Sequence, residues 1–166
     1  MPKTDDKVFL LELELETQGK IRSSSTKKPG GSSSSTGLVC HGWNYGVVPQ
    51  FDAGSGQLVG RRKHNPITIV REVDSASPLL WSALCSNEGF KTATLSYARP
   101  DASGKLSLYH TIELTNGAIA SIRPAGIHNG KKGEELTLTY EEMRIDGALG
   151  AIPAGLERRW RGPWGW

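Results

Sequence analysis

Residues 9–16 alternate Leu11, Leu13 and Leu15 with Glu12, Glu14 and Glu16, the period-two pattern of a strand that buries one face. Residues 38–48 are β-prone and aromatic, with Trp43 and Tyr45 on one parity and Cys40, Asn44 and Gly46 on the other, and predict a second, straight or bent strand. Residues 51–60 read as turn-rich; Pro66 then closes a basic run, and the β-branched sequence of residues 67–73 predicts another strand. One helix is predicted near residues 77–88. Ser77 can cap it, Pro78 suits a first helical position that needs no N–H, and Leu80, Trp81, Leu84 and Cys85 fall on one face before Gly89 marks the stop. Strands at 92–98 and 105–115 are joined by turn residues 100–104; a further strand at 118–122 is expected after an Asn116-Gly117 turn. Leu136, Leu138 and Tyr140 alternate with Thr137 and Thr139 inside a last strand at 134–145. The fold class is therefore mostly β: a small barrel, or two packed antiparallel sheets, of about seven or more strands with one flanking helix.

Two stretches break the pattern. Seven of the thirteen residues from Ser23 to Ser35 are serine, with Pro29, Gly30 and Gly31 among them, a composition that cannot bury enough apolar surface to order itself. Lying between two apolar segments, residues 23–37 read as a long projecting loop inside one domain. Residues 147–166 fit neither period, and their last nine residues hold Trp160, Trp164 and Trp166 with Arg158, Arg159 and Arg161. The expected organisation is a β-barrel domain over 1–146 followed by a Trp/Arg-rich tail over 147–166. Those tryptophans and arginines can form cation–π stacks and interface anchors, so Trp160, Trp164 and Trp166 are candidate partner-docking residues.

At 166 residues the chain is long enough for one packed domain without disulfides. No apolar run approaches a membrane span, so no membrane insertion is expected. Met1 opens a segment with two acids before Lys7 and no apolar block ending in a cleavage site, so a chain made and first held in the cytoplasm is expected. The only cysteines, Cys40 and Cys85, read as free thiols. His41, His64, His110 and His128 lack metal-ligand spacing, so no metal or cofactor is expected. Gly54, Gly56 and Gly60 miss the phosphate-loop spacing and open no helix. Cys85 within the helix reads as packing rather than a nucleophile, His110 as structural, and the Glu12, Glu14 and Glu16 row as a solvated strand face. No catalytic residue is assigned. Arg61, Arg62 and Lys63 could meet nucleic acid, but the net charge is only +3 and no recognition motif accompanies them, so no nucleic-acid partner is expected.

The segment Val73-Asp74-Ser75-Ala76-Ser77-Pro78-Leu79-Leu80, continuing to Ala83-Leu84-Cys85, resembles the hemolysin-coregulated protein (Hcp) family. Trp43-Asn44-Tyr45-Gly46-Val47 is similar to the family's aromatic-Gly-Val strand end, Ala93-Thr94-Leu95 to the strand after its helix, and residues 109–122 and 136–140 to its long hairpin and last strand. The resemblance spans residues 9–146. It implies a structural, non-enzymatic subunit of the type VI secretion system inner tube. Homo-hexameric rings would stack and be driven out by sheath contraction together with a VgrG spike, with effector cargo in the lumen. It also implies contacts with sheath and baseplate, and secretion without a signal peptide. Where family members carry an extended loop that meets the next ring, this chain has its serine-rich loop, so Lys27, Lys28 and Pro29 are the candidate ring-to-ring residues. The tail has no counterpart in the family's core pattern. Alternatives are the tube of a phage-tail-like contractile particle, a ligand- or glycan-binding β-sandwich carrying exposed tryptophans, and a hydrolase with an unrecognised site.

Overall fold

The computed structural model describes residues 8–22, 37–100, 102–103, 106–126, 132–147 and 160–161. In chain order these form β1 (Val8–Leu15), β2 (Gly19–Lys20), β3 (Leu38–Asn44), β4 (Val47–Phe51), β5 (Leu58–His64), β6 (Ile67–Glu72), α1 (Ser77–Cys85), β7 (Gly89–Pro100), β8 (Leu106–Gly126), β9 (Lys132–Gly147) and β10 (Trp160–Arg161). The main sheet runs β10-β9-β6-β3-β1-β7-β8, and β8 also pairs with β9, so β9-β6-β3-β1-β7-β8 closes into a six-stranded antiparallel barrel. Closure removes most of the strand edges an open sheet would present. β2 pairs with β1, while β4 and β5 form a separate two-stranded hairpin.

The alternation in β1 is realised as read. Leu11, Leu13 and Leu15 are buried inside the barrel with Leu38, Ile67, Ile69, Ala93, Leu95, Ile112, Leu114, Leu136 and Leu138. These side chains fill the interior, leaving the Glu12 and Glu16 positions exposed outside. Because β1, β6 and β8 run one way and β3, β7 and β9 the other, the barrel has two distinct mouths. α1 lies at the mouth where β6 ends. At the other mouth the rings of Phe9, Trp43 and Tyr97 meet edge to face, with Phe9–Trp43 centroids 5.3 Å apart and Trp43–Tyr97 centroids 3.9 Å apart.

Several expectations are corrected. No turn occurs at Asn116-Gly117: β8 passes straight through, with Thr115↔Glu142 and Gly117↔Tyr140 both in register with β9. Asn116 does take the left-handed conformation that a turn would use (φ 50°), but here it is a single residue inside a long strand whose register with β7 and β9 continues unbroken across it. The reason lies in Gly117. A Cβ there would sit 2.0 Å from the Thr139 carbonyl oxygen and 2.4 Å from Cζ of Phe90, so glycine lets β8 press against β9 and the Phe90 ring. The turn-rich reading of 51–60 holds only around residues 53–55, since the flanks pair as β4 and β5.

The helix is shorter than 77–88, and Ser77 is not its cap. Ala76 occupies the cap position with no side-chain cap bond, and Ser77 is a buried helical residue. The face packed on the barrel is Ser77, Leu80 and Ala83, with Leu84 partly covered; Trp81 and Cys85 are exposed rather than on the packed face. Burying Leu80 is worth about 2 kcal/mol.

Candidate functional site

The residues of the Val73–Leu80 sequence owe their arrangement to an ion network, not to a surface. Cys40 of β3, Arg71 of β6 and Glu134 of β9 are cross-strand neighbours. All three lie on the inward parity of their strands, at the helix-bearing mouth. Arg71 is fully buried and its Nη1 donates to Glu134 Oε1, while Nη2 donates to Asp74 Oδ1 at 2.5 Å. Ser77 Oγ donates to Glu134 Oε1 at 3.0 Å and accepts from Arg71 Nη1 (3.2 Å) and the Asp74 N–H (3.1 Å). Asp74 Oδ1 also accepts the Ala76 N–H at 2.8 Å. A buried guanidinium is tolerable only with such partners, and here they come from the loop and first turn that seat α1. Beside it, burial pushes the Cys40 thiol up to about 12, against a smaller opposing pull from Arg71. Cys40 is therefore a packed thiol.

The far end of the helix is held by Glu88. Its Oε1 accepts the N–H groups of Thr17 (2.6 Å) and Gln18 (2.8 Å), and Oε2 accepts Gln18 Nε2 (2.9 Å). The Gln18 side chain first, then the backbone donors, hold this carboxyl below its ordinary range.

Two features at the opposite mouth face outward. The first is the β4–β5 hairpin, which carries Val47, Val48, Phe51, Leu58 and Val59, all well exposed, Leu58 to 69%. Its turn is set by Asp52, whose Oδ1 accepts the Gly54 (2.6 Å) and Ser55 (3.2 Å) N–H groups while Gly56 turns with φ 66°. A two-stranded ribbon with exposed apolar side chains on both faces is marginal in water by itself. The second is the outer side of β9. β8 pairs with β9 over its whole length, whereas β6 pairs with it only from Gly133 to Leu138. Beyond that point, among the described residues, only β10 lies alongside, with Trp160↔Met143 and Arg161↔Glu142.

Of the residues singled out from sequence, Trp160 falls on β10, while Lys27, Lys28, Pro29, Trp164 and Trp166 lie outside the described residues. His110 sits on β8 with its ring 5.6 Å from that of Tyr97. Glu12 and Glu14 line a shallow, polar, open dish with Lys20, Thr92 and Thr94. Among the described residues no group of three or more His, Cys, Asp or Glu side chains is placed to hold a metal ion, and no helix is long and apolar enough to cross a membrane. Sequence reasoning missed the hairpin, whose signal was the pair of apolar couples Val47-Val48 and Leu58-Val59 on either side of the turn-forming segment Asp52-Ala53-Gly54-Ser55-Gly56. It also missed the Arg71–Glu134 pair.

A filled barrel with a seated helix, a ribbon carrying exposed apolar side chains and, among the described residues, a partly paired outer edge of β9 defines a class by its fold: a small closed antiparallel β-barrel. The comparisons agree on which one. Residues 36–146 match the family model described as "Type VI secretion system effector, Hcp", and the chain belongs to this family. It is 35% identical over 86 residues to the "Major exported protein" of Pseudomonas aeruginosa, an alignment covering 52% of this chain and half the length of that relative. Among solved structures it is similar to a doubly substituted Hcp1 of Escherichia coli, with a TM-score of 0.76, 22% identity, and coverage of 87% of this chain and 94% of that one. It is also similar to the "Secreted protein Hcp3" of Pseudomonas aeruginosa, with a TM-score of 0.69, 22% identity, and coverage of 92% and 99%. At these identities the structural likeness speaks for the fold.

Proposed function

We propose that this Hcp-family chain is the structural subunit of a type VI secretion inner tube, assembling as homo-hexameric rings that stack. The observation that supports it most is the family match over residues 36–146 together with an outward hairpin whose five large apolar side chains stand exposed in the single chain. Such a surface is the mark of an interface, and a heterologous contact repeated by a closing rotation makes a ring. The barrel interior is packed with side chains, so a lumen large enough for cargo arises between subunits rather than inside one.

In this reading the chain is made in the cytoplasm and leaves the cell through the secretion machine, propelled by sheath contraction behind a VgrG spike and carrying effectors in the ring. It is a structural protein and not an enzyme. Lys27, Lys28 and Pro29 serve ring-to-ring contact, and Trp160, Trp164 and Trp166 dock the tail on sheath, baseplate or cargo. Native mass spectrometry at physiological salt tests the central claim: six 18.0 kDa subunits give about 108 kDa. A species of one subunit's mass at micromolar concentration would overturn it.

A further inference from the structure

We infer that the outer edge of β9, residues 139–147, is a strand-acceptor site for β5 of a second copy of this chain, and that the chain's own β10 is its resident placeholder. The inference deepens the ring reading and rests on it.

The edge is opened by the chain itself. β6 starts at Ile67, paired with Leu138, so a straight continuation toward lower numbers would have run β5 alongside residues 139–147. Instead Asn65-Pro66 breaks the ladder, because proline cannot donate and restricts the residue before it. Asn65 is held at the break, its carbonyl accepting from the Tyr140 hydroxyl at 3.2 Å. Among the described residues β5 pairs with β4 alone, and both ribbon and β9 keep an outer side with little or no strand partner. The vacated slot is therefore the one a neighbour's β5 can fill, as in domain swapping.

Length and charge fit. Seven residues of β5 extend about 23 Å and nine of β9 about 30 Å. β5 carries Arg61, Arg62 and Lys63, three positive charges; residues 139–147 carry Glu141, Glu142 and Asp146 against Arg144, a net charge of 1 − 3 = −2. Continuing the Ile67↔Leu138 register sets Lys63 opposite Glu142, a favourable cross-strand pair, and Arg61 opposite Arg144, an unfavourable one, so the attraction is carried by the net charges of the two strands. Burial of Leu58 and Val59, now exposed, would accompany it. Among the described residues β10 covers Glu142 and Met143, a two-residue pairing that a seven-residue strand can displace.

The test is a charge swap followed by native mass. Arg61→Glu/Arg62→Glu/Lys63→Glu and, separately, Glu141→Lys/Glu142→Lys/Asp146→Lys are each expected to lower the mass sixfold, from ring to single subunit, with circular dichroism confirming the fold. Mixing the two variants should restore the ring, since each then offers the other a complementary edge; a single chain carrying both sets should restore it too. A native ring that survives either reversal, or reversals that no combination rescues, overturns the inference while leaving the tube reading intact. A monomeric native chain overturns both. Removing residues 148–166 should lower the concentration of half-assembly at least twofold, and loss of assembly in that variant would overturn the placeholder role.

Discussion

Replacing Arg71 by methionine keeps much of the stem's volume but deletes the charge that compensates Glu134 and Asp74. Glu134 lies 4% exposed and Asp74 17% by side chain, so the carboxylates left behind cannot be rescued by water without opening the helix-bearing mouth. Breaking a buried pair from one side typically costs about 3–5 kcal/mol, a large share of the roughly 5–15 kcal/mol that holds a domain together. At 166 residues this corresponds to a fall in Tm of about 6–20 °C, or a urea midpoint about 1.5–2.5 M lower for an m-value near 2 kcal/mol/M. Arg71→Met/Glu134→Leu removes both charges of this pair and should lose about 1–3 kcal/mol less than the sum of the single losses, because the more deeply buried of the two carboxylates, Glu134, is no longer left uncompensated. Urea unfolding of all four proteins, at one fixed protein concentration so that assembly contributes equally, measures the cycle. Additive losses, or a single-variant loss below about 1 kcal/mol, would show that the network does not hold the helix.

Gly117→Ala forces a Cβ to within 2.0 Å of the Thr139 carbonyl oxygen and should cost about 3 kcal/mol or more; an unchanged thermal transition would refute the close approach of β8 to β9. Glu88 is held below its ordinary value of 4.5 first by the Gln18 side chain and then by the backbone donors. Its contribution is thus fully present above that pH and fades as pH falls through the lower folded value. Glu88→Gln should therefore lose Tm against the native chain at pH 7 and converge with it in acid, and a gap that widens on acidification would contradict this. Cys85 is exposed while Cys40 is buried with its thiol pushed up to about 12. A thiol reagent at pH 8 should thus modify one cysteine in the folded subunit and two in urea, and rapid native labelling of Cys40 would disprove the packing.

Local chemistry was legible where one face of an element decides its state. β1 was readable because its alternation maps directly on inside and outside, and β6 because its β-branched run has burial alternating along it. Asn116-Gly117 misled because the same left-handed preference serves a hairpin turn and a single residue inside a continuous strand; only the pairing of residues 106–126 with both β7 and β9, a long-range fact, chooses between them. The helix face was misjudged because Trp81 and Cys85 are as apolar as Leu80, and periodicity cannot tell which side of so short a helix meets the barrel. Arg71 and Glu134 stand 63 positions apart and become partners only through the β6–β9 register.

That register also explains why the most recognisable stretch of the sequence serves the fold. Asp74 and Ser77 are constrained from several sides at once: Asp74 by Arg71 and the Ala76 N–H, Ser77 by Arg71, Glu134 and the Asp74 N–H. Few side chains satisfy so many donors and acceptors in that space, so a chain with this barrel and helix is held to these residue types. The outward hairpin and the outer edge of β9 are under no such demand from the fold. Their sequences answer to whatever they touch, and exposed apolar residues at 47–59 followed by three bases are costly for a solitary chain. The fold is thus written in the buried polar row at one mouth, while the exposed hairpin and the outer edge of β9 at the other are the surfaces that the proposed assembly would use.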